Sequence, residues 1–487
     1  MSENTIILRA VKLNKAKCAL DLGDGSERAE YVNQDYILNK LGRPHRSINL
    51  MYTYYPKDKE WPQRVSVACK DMNINYQWDY PYDDYFPYGG GPKGNTDGEP
   101  FHFMRDIRRH GQDVTLTLTI DCSLADEELR HIARELKPFG RMRLRINHEC
   151  AGSWFTHNQR YSYEEISKFF IKFHNIVKEE APNILTVFCA GFVKDVNVDS
   201  CEVECESEFI PAYQAADIWS GDCYLALHYG WPFDVCEKNT TSFHTYTVES
   251  FYQRLSKTAE RLKKINHGVS KPLQVSEFNT DGDVTGAINQ GSSVKKFAYM
   301  IRDNKATWLS GFTMYQFRDR GRLGLELEDP NNSSVGIEQP ILKDYKEIMY
   351  DPYFMPQFVI DNTKELCLPI NLRYGGSEDA EGLGLFIEFE KTPVFCEIEF
   401  EEPLNLMMEL RDRWFYKAAN TKTIDLMPAF YEKGLDQSET IVLKLFAPPA
   451  TGENEPEQGE DWAINYYRTI SKMPKLRIRY EAVKDVE

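Results

Sequence analysis

The amino-acid sequence predicts a (β/α)8 TIM barrel followed by a smaller C-terminal β-sandwich, and three observations lead to this fold class. Strand-like and helical segments alternate from Ile48 onward, giving eight strands over about 270 residues, a length typical of this barrel. Near Tyr350 the pattern changes to short strand-like runs separated by Gly, Pro and charged turns. The chain of 487 residues is also long enough for two domains. We therefore expect a barrel over residues 1–350 and a β-sandwich over residues 351–487.

The first half of the barrel is predicted from β-forming residues and from alternation of apolar and polar residues. Residues 1–45 are polar with short apolar runs, which indicates an edge strand or a lead-in segment. The first four barrel strands are predicted at residues 47–55, 73–80, 113–121 and 141–148. Residues 81–100 form a Gly-rich, aromatic-containing loop, and one hypothesis is that this loop closes one end of a cleft.

The second half continues the alternation of strands and helices. Ile166, Phe169, Phe170 and Phe173 recur at helical spacing and predict a helix with one buried face. The last four strands are predicted at residues 184–190, 217–225, 272–278 and 311–317. Alternation of this kind also fits an open doubly wound sheet. The first strand is not followed by a Gly-rich phosphate loop, and this disfavours the nucleotide-binding version of such a sheet.

Composition and charge exclude several classes of function. The net charge is −17, from 75 acidic and 58 basic residues, whereas nucleic-acid binding calls for basic surfaces. There is no 18-residue apolar stretch and no recognisable signal peptide, and the eleven cysteines form no CxxC motif. We therefore expect a cytoplasmic protein with free thiols, no membrane or nucleic-acid partner and no cofactor. The sequence leaves a homo-oligomer open.

Two glutamates stand at the ends of predicted strands, where a barrel of this kind carries its active site. Glu149 ends the fourth strand and Glu277 ends the seventh. Retaining glycoside hydrolysis needs one carboxyl group as acid and base and a second as nucleophile. Arg145 lies four residues before Glu149 and can hold a carboxylate ionised, and Tyr224 ends the sixth strand beside Glu277.

The segment RINHECAGSWF, residues 145–155, resembles the fourth-strand signature of glycoside hydrolase family 26, a member of clan A. The resemblance implies that Glu149 is the acid/base, that His148 is its neighbour and that Trp154 stacks on sugar. PLQVSEFNTDG, residues 272–282, resembles the seventh-strand motif and makes Glu277 the nucleophile. DIWSGDCY, residues 217–224, is similar to the sixth-strand motif, with Asp222 and Tyr224 in its last positions.

The chain departs from the family 26 pattern in two places. Asn147 stands where the family commonly has an apolar residue. The eighth-strand segment YQFRDRGRLGLE, residues 315–326, has no Trp to form the usual floor for the sugar ring. Phe317 or Tyr315 is the candidate substitute, and Arg318, Asp319 or Arg320 is the candidate contact for a polar or anionic group. Trp78 is a further candidate for binding sugar.

These observations favour a retaining β-glycoside hydrolase with Glu149 and Glu277 as its catalytic pair. The resemblance favours β-mannan or manno-oligosaccharides as substrate, followed by β-1,3-xylan and β-glucan. One alternative is a non-catalytic carbohydrate-binding protein on a degenerate hydrolase barrel. A metal-dependent hydrolase using His148, Glu149 and His157 is a weaker alternative, because its histidines are too few for a convincing ligand set and no metal site is expected. The rivals of Glu277 for the role of nucleophile are Glu326 and Asp281.

Overall fold

The computed structural model describes residues 7–23, 31–58, 86–151, 160–192, 207–228, 243–319, 321–374, 379–448 and 467–481. Eight parallel strands form a closed barrel, in which the first strand pairs with both the second and the eighth. In chain order the barrel strands are Ala19–Gly23, Ser47–Tyr54, Asp113–Ile120, Met142–Ile146, Ile184–Phe192, Ile218–Asp222, Leu273–Phe278 and Gly311–Met314. We refer to them as strands one to eight. Their closure in a ring is the predicted TIM barrel.

Strand one is Ala19–Gly23, in a region where the sequence indicated only an edge strand or lead-in. Its sequence ALDLG is short and carries a charged residue, Asp21. That carboxylate is buried and is compensated by Arg46, immediately before strand two, which donates from Nε to Oδ1 at 2.9 Å. The ring is complete with this strand, so Ser47–Tyr54 is strand two rather than strand one. The strand predicted at residues 73–80 lies outside the described residues.

Helices cover the barrel between its strands. They are Gln34–Leu41, Phe101–Arg109, Asp126–Leu136, Tyr163–Glu180, Ile210–Ala215, Val248–Ile265, Gly282–Thr285, Ala287–Asp303 and Ile341–Met349. Tyr163–Glu180 begins at a capping box, in which the Ser162 side chain accepts from Glu165 N and the Glu165 carboxylate accepts from Ser162 N. The predicted face of this helix is buried against the barrel. Within the described ranges, no helix combines the length and apolar character that a membrane crossing requires.

The described part of the Gly-rich loop, residues 86–100, packs against the helix Asp126–Leu136. Gly91 N donates to Glu135 Oε1 at 2.8 Å, and Tyr88 is buried with its hydroxyl bonded to the same carboxylate. These residues thus lie on the helical wall of the barrel. Closure of a cleft by residues 81–85 falls outside the described residues.

The C-terminal region consists of two antiparallel sheets that share one hydrophobic core, as the predicted β-sandwich requires. The larger sheet runs in the order Gln357–Glu365, Ile7–Asn14, Asp379–Phe389, Glu439–Phe446, Leu406–Leu410 and Arg413–Lys417, with Ile370–Tyr374 and Tyr467–Ile470 attached. The smaller sheet has the order Thr423–Asp425, Phe395–Glu399 and Lys475–Arg479. Ile7–Asn14, which precedes barrel strand one in the sequence, pairs with Gln357–Glu365 and Asp379–Phe389. This N-terminal strand therefore belongs to the C-terminal sheets rather than to the barrel.

Short sheets and 3-10 turns lie outside the eight barrel strands. Arg318–Asp319, Glu326–Asp329 and Asn332–Glu338 form a three-stranded sheet after strand eight, and Ala226–His228 pairs with Phe243–Thr245 after strand six. Phe86–Pro87 pairs beside strand two. Single 3-10 turns occur at Lys137–Phe139, Ser207–Phe209 and Met427–Phe430. The carboxyl ends of strands four, six and seven meet at one face of the barrel, where the site described next is located.

Candidate active site

Three buried carboxyl groups converge at the carboxyl ends of strands four, six and seven. Glu149 follows strand four, Asp222 is the last residue of strand six, and Glu277 is the penultimate residue of strand seven. Their exposed fractions are 5%, 0% and 7%. One carboxylate oxygen from each residue lies within 4.8 Å of one from each of the others. The sequence-predicted pair Glu149 and Glu277 is therefore brought together, with Asp222 beside it.

Arg145 links two of these carboxyl groups. It is fully buried, with Nη1 3.0 and 3.2 Å from the two oxygens of Asp222 and Nη2 2.7 Å from Glu277 Oε1. Its Nε donates to Thr117 Oγ1 on strand three at 2.8 Å. A guanidinium group carries donors in a rigid fork, so these three contacts fix its plane. Despite burial, the charges of Asp222 and Glu277 raise the pKa of Arg145, which is therefore a permanent cation.

The second oxygen of Glu277 is held by Tyr224. The tyrosine hydroxyl donates to Glu277 Oε2 at 2.8 Å. Burial, and after it the negative charges of Glu277, Asp222 and Glu149, raises the pKa of Tyr224 well above its usual value. Tyr224 is consequently a neutral donor across the working pH range. Charge-assisted donors on both oxygens fix the orientation of the Glu277 carboxylate.

Asp222 is the most buried of the three acids. Burial raises the pKa of Asp222 to about 7, and the neighbouring Glu277 charge acts in the same direction. Arg145 and hydrogen bonds from Cys189 and Glu149 act in the opposite direction. Cys189 Sγ on strand five is 3.5 Å from Asp222 Oδ2. Asp222 is therefore hydrogen-bonded to two side chains besides Arg145, namely Cys189 and Glu149.

The turn that carries Glu149 has an unusual backbone. Asn147 and Glu149 have φ values of 48° and 50°, in the left-handed region that residues other than Gly rarely adopt. The Asn147 side chain accepts from Ile120 N at 2.7 Å and donates to Ile120 O at 3.1 Å. Asn tolerates left-handed geometry better than most residues. The departure from the family 26 pattern at Asn147 therefore ties the Glu149 turn to the end of strand three.

Tyr315 supplies an aromatic side chain next to this site. Its ring meets the Tyr224 ring edge to face at 6.0 Å between centroids, and Met51 belongs to the same small cluster. Asn279 Nδ2 donates to Tyr315 O at 2.8 Å and fixes the segment after strand eight. Of the two candidates for a substitute sugar floor, Tyr315 is the one that packs against Tyr224, the hydrogen-bond donor to Glu277.

The structure places Phe317 and Arg318 elsewhere. Phe317 is completely buried in the main barrel core, where it meets the ring of Tyr36 at 6.0 Å. Arg318 is 3% exposed and pairs with Glu326, with Nη2 2.8 Å from Oε2. Asp319 accepts from the Gln316 amide at 2.9 Å. These side chains are engaged in the three-stranded sheet and the core rather than with Glu149 or Glu277.

The remaining predicted residues are placed as follows. His148 is 1% exposed, in the chain segment between Asn147 and Glu149. The rivals of Glu277 have other roles, since Glu326 binds Arg318 and Lys40, and Asp281 accepts from Asp283 N at a helix start. Trp78, Trp154, His157 and Arg320 lie outside the described residues.

Sequence reasoning missed Thr117, Cys189 and Asn279. Thr117 belongs to the alternating run DVTLTLTI, whose buried threonines were a signal of a polar interior face. Cys189 and Asn279 carry no such signal, because their roles arise from strands that are distant in sequence.

A metal ion would find three carboxylates at suitable spacing here. Arg145 already donates to both oxygens of Asp222 and to one oxygen of Glu277, which makes three contacts with two of these carboxylates. A divalent cation would have to compete with this guanidinium for the same oxygens. The arrangement therefore fits chemistry by carboxyl groups better than metal binding.

Comparison with known proteins gives structural neighbours only. No family model matches the chain, and no curated protein matches it. Similar solved structures include a family 26 β-mannanase from Bacteroides ovatus, with 11% identity and a TM-score of 0.41 over 70% of this chain and 90% of the other. A family 26 endo-β-1,4-mannanase from Cellulomonas fimi has 12% identity and a TM-score of 0.43 over 89% of each chain.

An α-L-arabinofuranosidase from Thermotoga maritima is similar at 10% identity, with a TM-score of 0.42 over 91% of this chain and 99% of the other. Family 26, which the strand motifs resemble, is thus represented among these neighbours. Identities this low, with TM-scores below 0.5, carry no inference about activity. The barrel itself is established by the pairing of its eight strands.

Proposed function

We propose that the chain is a retaining β-glycoside hydrolase that acts by double displacement. The observation that carries this proposal is the approach of Glu149 and Glu277, whose nearest carboxylate oxygens are within 4.8 Å. Retaining enzymes hold their two carboxyl groups about 5–5.5 Å apart, whereas inverting enzymes need about 6.5–9.5 Å to admit a water molecule. The short separation supports retention.

The environments of the two glutamates support different roles. Glu277 receives donors from Arg145 and Tyr224, which suits an ionised nucleophile with a fixed orientation. Glu149 is hydrogen-bonded to another acid, Asp222, which suits a group that carries a proton. In the first step a Glu277 oxygen bonds to the anomeric carbon as the bond from that carbon to the glycosidic oxygen breaks, and Glu149 donates its proton to the glycosidic oxygen, which leaves as the hydroxyl group of the departing sugar. In the second step Glu149 takes a proton from water, whose oxygen displaces Glu277 and releases the sugar.

The proposed substrate is a β-linked oligo- or polysaccharide, with β-mannan or manno-oligosaccharide first. This preference rests on the family 26 resemblance of residues 145–155 and 272–282. Tyr315 takes the role of an aromatic surface beside the reacting sugar, because aromatic faces suit the apolar side of a pyranose. β-1,3-Xylan and β-glucan are the next substrates to test.

The experiment is product analysis on a panel of β-linked manno-, xylo- and gluco-oligosaccharides. Wild type is compared with Glu277→Ala and with Glu127→Gln, a control at an exposed helical glutamate. We expect cleavage by wild type and Glu127→Gln, initial products with the β configuration, and loss of cleavage in Glu277→Ala. Equal cleavage by all three proteins would exclude Glu277 as nucleophile. Binding of a panel sugar without cleavage would favour a carbohydrate-binding protein.

A further inference from the structure

A third carboxyl group, Asp222, lies in a site where the proposed double displacement uses two. It is fully buried, and one of its oxygens lies within 4.8 Å of both Glu149 and Glu277. Burying an additional acid is costly unless it is paired and hydrogen-bonded. The hydrogen bonds and charges that compensate the burial of Asp222 therefore indicate its role in the site.

These contacts connect Asp222 to both catalytic glutamates. Arg145 Nη1 donates to both Asp222 oxygens, and the same guanidinium reaches Glu277. Glu149 and Cys189 complete the hydrogen bonding of Asp222. Cys189 also takes a hydrogen bond from the backbone N–H of Glu149. Asp222 consequently contacts both Arg145, the cation that also binds Glu277, and the carboxyl group of Glu149.

The charges around Glu149 determine where a proton resides. The charged and titratable groups near it are Arg145 and His148 on its own segment, Cys189 on strand five, Asp222 and Tyr224 on strand six and the turn after it, and Glu277 on strand seven. With one guanidinium against three acids, full ionisation of the three would leave two uncompensated negative charges in a buried site. Close carboxylates that cannot all ionise retain a proton between them.

We propose that Asp222 and Glu149 share one proton in the resting site, so that Asp222 is a positioning residue that keeps Glu149 in its proton-bearing form. The catalytic meaning of this pair rests on the proposed function, whereas the shared proton does not. In the first step the proton leaves Glu149 for the departing oxygen, and the negative charge of Glu277 disappears into its new bond to carbon. The total charge of the site is unchanged, and Asp222 retains Arg145 throughout.

The test is an infrared titration of the protonated carboxyl band in the full chain, which needs no substrate. Wild type should keep one such band well above the pH at which an ordinary glutamate ionises, and Glu149→Gln should alter it. Asp222→Asn removes the neighbouring negative charge, so the band should vanish about one pH unit lower or more. Asp222→Glu keeps the charge and should restore titration near that of wild type.

Two further variants keep the test decisive if Asp222→Asn does not fold. Cys189→Ala removes a donor to Asp222 and should move the loss of the band to higher pH, opposite to Asp222→Asn. Tyr224→Phe removes a donor to Glu277 but leaves the pair intact, and should leave the titration unchanged. On an active enzyme, the alkaline limb of kcat/KM should follow the band in each variant.

An unchanged band in Asp222→Asn, or a downward shift in Cys189→Ala, would overturn the shared proton even if the enzyme hydrolyses glycosides. If wild type cleaves no panel sugar but the band shifts as expected, the proton pair stands and the hydrolase proposal fails.

Discussion

Arg145 Nη2 and Glu277 Oε1 are 2.7 Å apart across the mouth of the barrel, between side chains that are 132 positions apart in the chain. The same guanidinium holds Asp222 through Nη1. Strands four, six and seven are thereby tied together by one cation at the point where the proposed nucleophile must be oriented. This contact therefore fixes the orientation of the Glu277 carboxylate relative to Asp222.

Arg145→Ala should lower both stability and activity. It would leave Asp222 and Glu277 buried without their cation, and breaking a buried pair in this way costs about 3–5 kcal/mol. Arg145→Lys retains the charge but lacks the fork, so it should recover much of the stability and little of the activity. Urea unfolding and kcat/KM measured on both variants check this. Equal activity of the lysine variant and wild type would contradict it.

Tyr224→Phe should reduce kcat with a small effect on KM. The lost hydrogen bond to Glu277 Oε2 is charge-assisted and contributes about 1.5–3 kcal/mol. If that stabilisation is used in the transition state, the loss corresponds to about 10–100-fold in rate. Steady-state kinetics decide this, with circular dichroism as the control for folding. A rise in KM at constant kcat would show that Tyr224 binds substrate instead.

The free energy of unfolding should depend on pH through the raised pKa of Asp222. The pKa of Asp222 in the folded chain, about 7, lies above the ordinary value of 3.8, so the folded state holds the proton that Asp222 shares with Glu149 more tightly than the unfolded state does. The stabilisation is complete below about pH 4 and is lost as pH rises toward 7. The difference in unfolding temperature between wild type and Asp222→Asn should therefore decrease from pH 4 to pH 7. A difference that grows over this range would be incompatible with a raised pKa.

Asn147 provides a test of backbone geometry. Asn147→Ala loses both hydrogen bonds to Ile120 and keeps the unfavourable positive φ, whereas Asn147→Gly loses the bonds but accepts the φ. Activity should fall in both because the Glu149 turn loses its tether. Stability should fall more in the alanine variant. Thermal unfolding and kcat/KM on the two proteins check the order, and a less stable glycine variant would contradict it.

Tyr315→Ala and Phe317→Ala form a matched pair two positions apart. Tyr315 borders the site, so its loss should raise KM for oligosaccharides with a modest effect on stability. Phe317 lies in the core, and its truncation should cost about 3–5 kcal/mol with KM unchanged in the folded fraction. Kinetics and urea unfolding on both variants decide the assignment. A raised KM in Phe317→Ala together with an unchanged KM in Tyr315→Ala would show that Phe317, rather than Tyr315, contacts the sugar.

The barrel and the positions of Glu149 and Glu277 could be predicted because strand periodicity marks where each strand ends. Strand one was missed since Asp21 interrupts its apolar character, and the compensating Arg46 lies immediately before strand two, 25 positions along the chain. Phe317 and Arg318 were misplaced because strand eight ends at Met314, beyond which alternation no longer determines a side chain's direction.

The environment of Asp222 was also beyond prediction from sequence. Its contacts come from Cys189, Arg145 and Glu149, which lie on two other strands and a turn. The sequence places an acid at the end of strand six, and only the closed ring brings it against the acid of strand four.

The most direct test of the account is to trap the covalent intermediate with a 2-fluoro β-glycosyl fluoride of the sugar that wild type cleaves. Mass spectrometry of the digested protein then identifies the labelled residue. The account predicts one sugar per chain on the peptide containing Glu277, and no label in Glu277→Ala. A label on Glu149 or Asp222, or turnover of the natural substrate with inversion and no label, would contradict it.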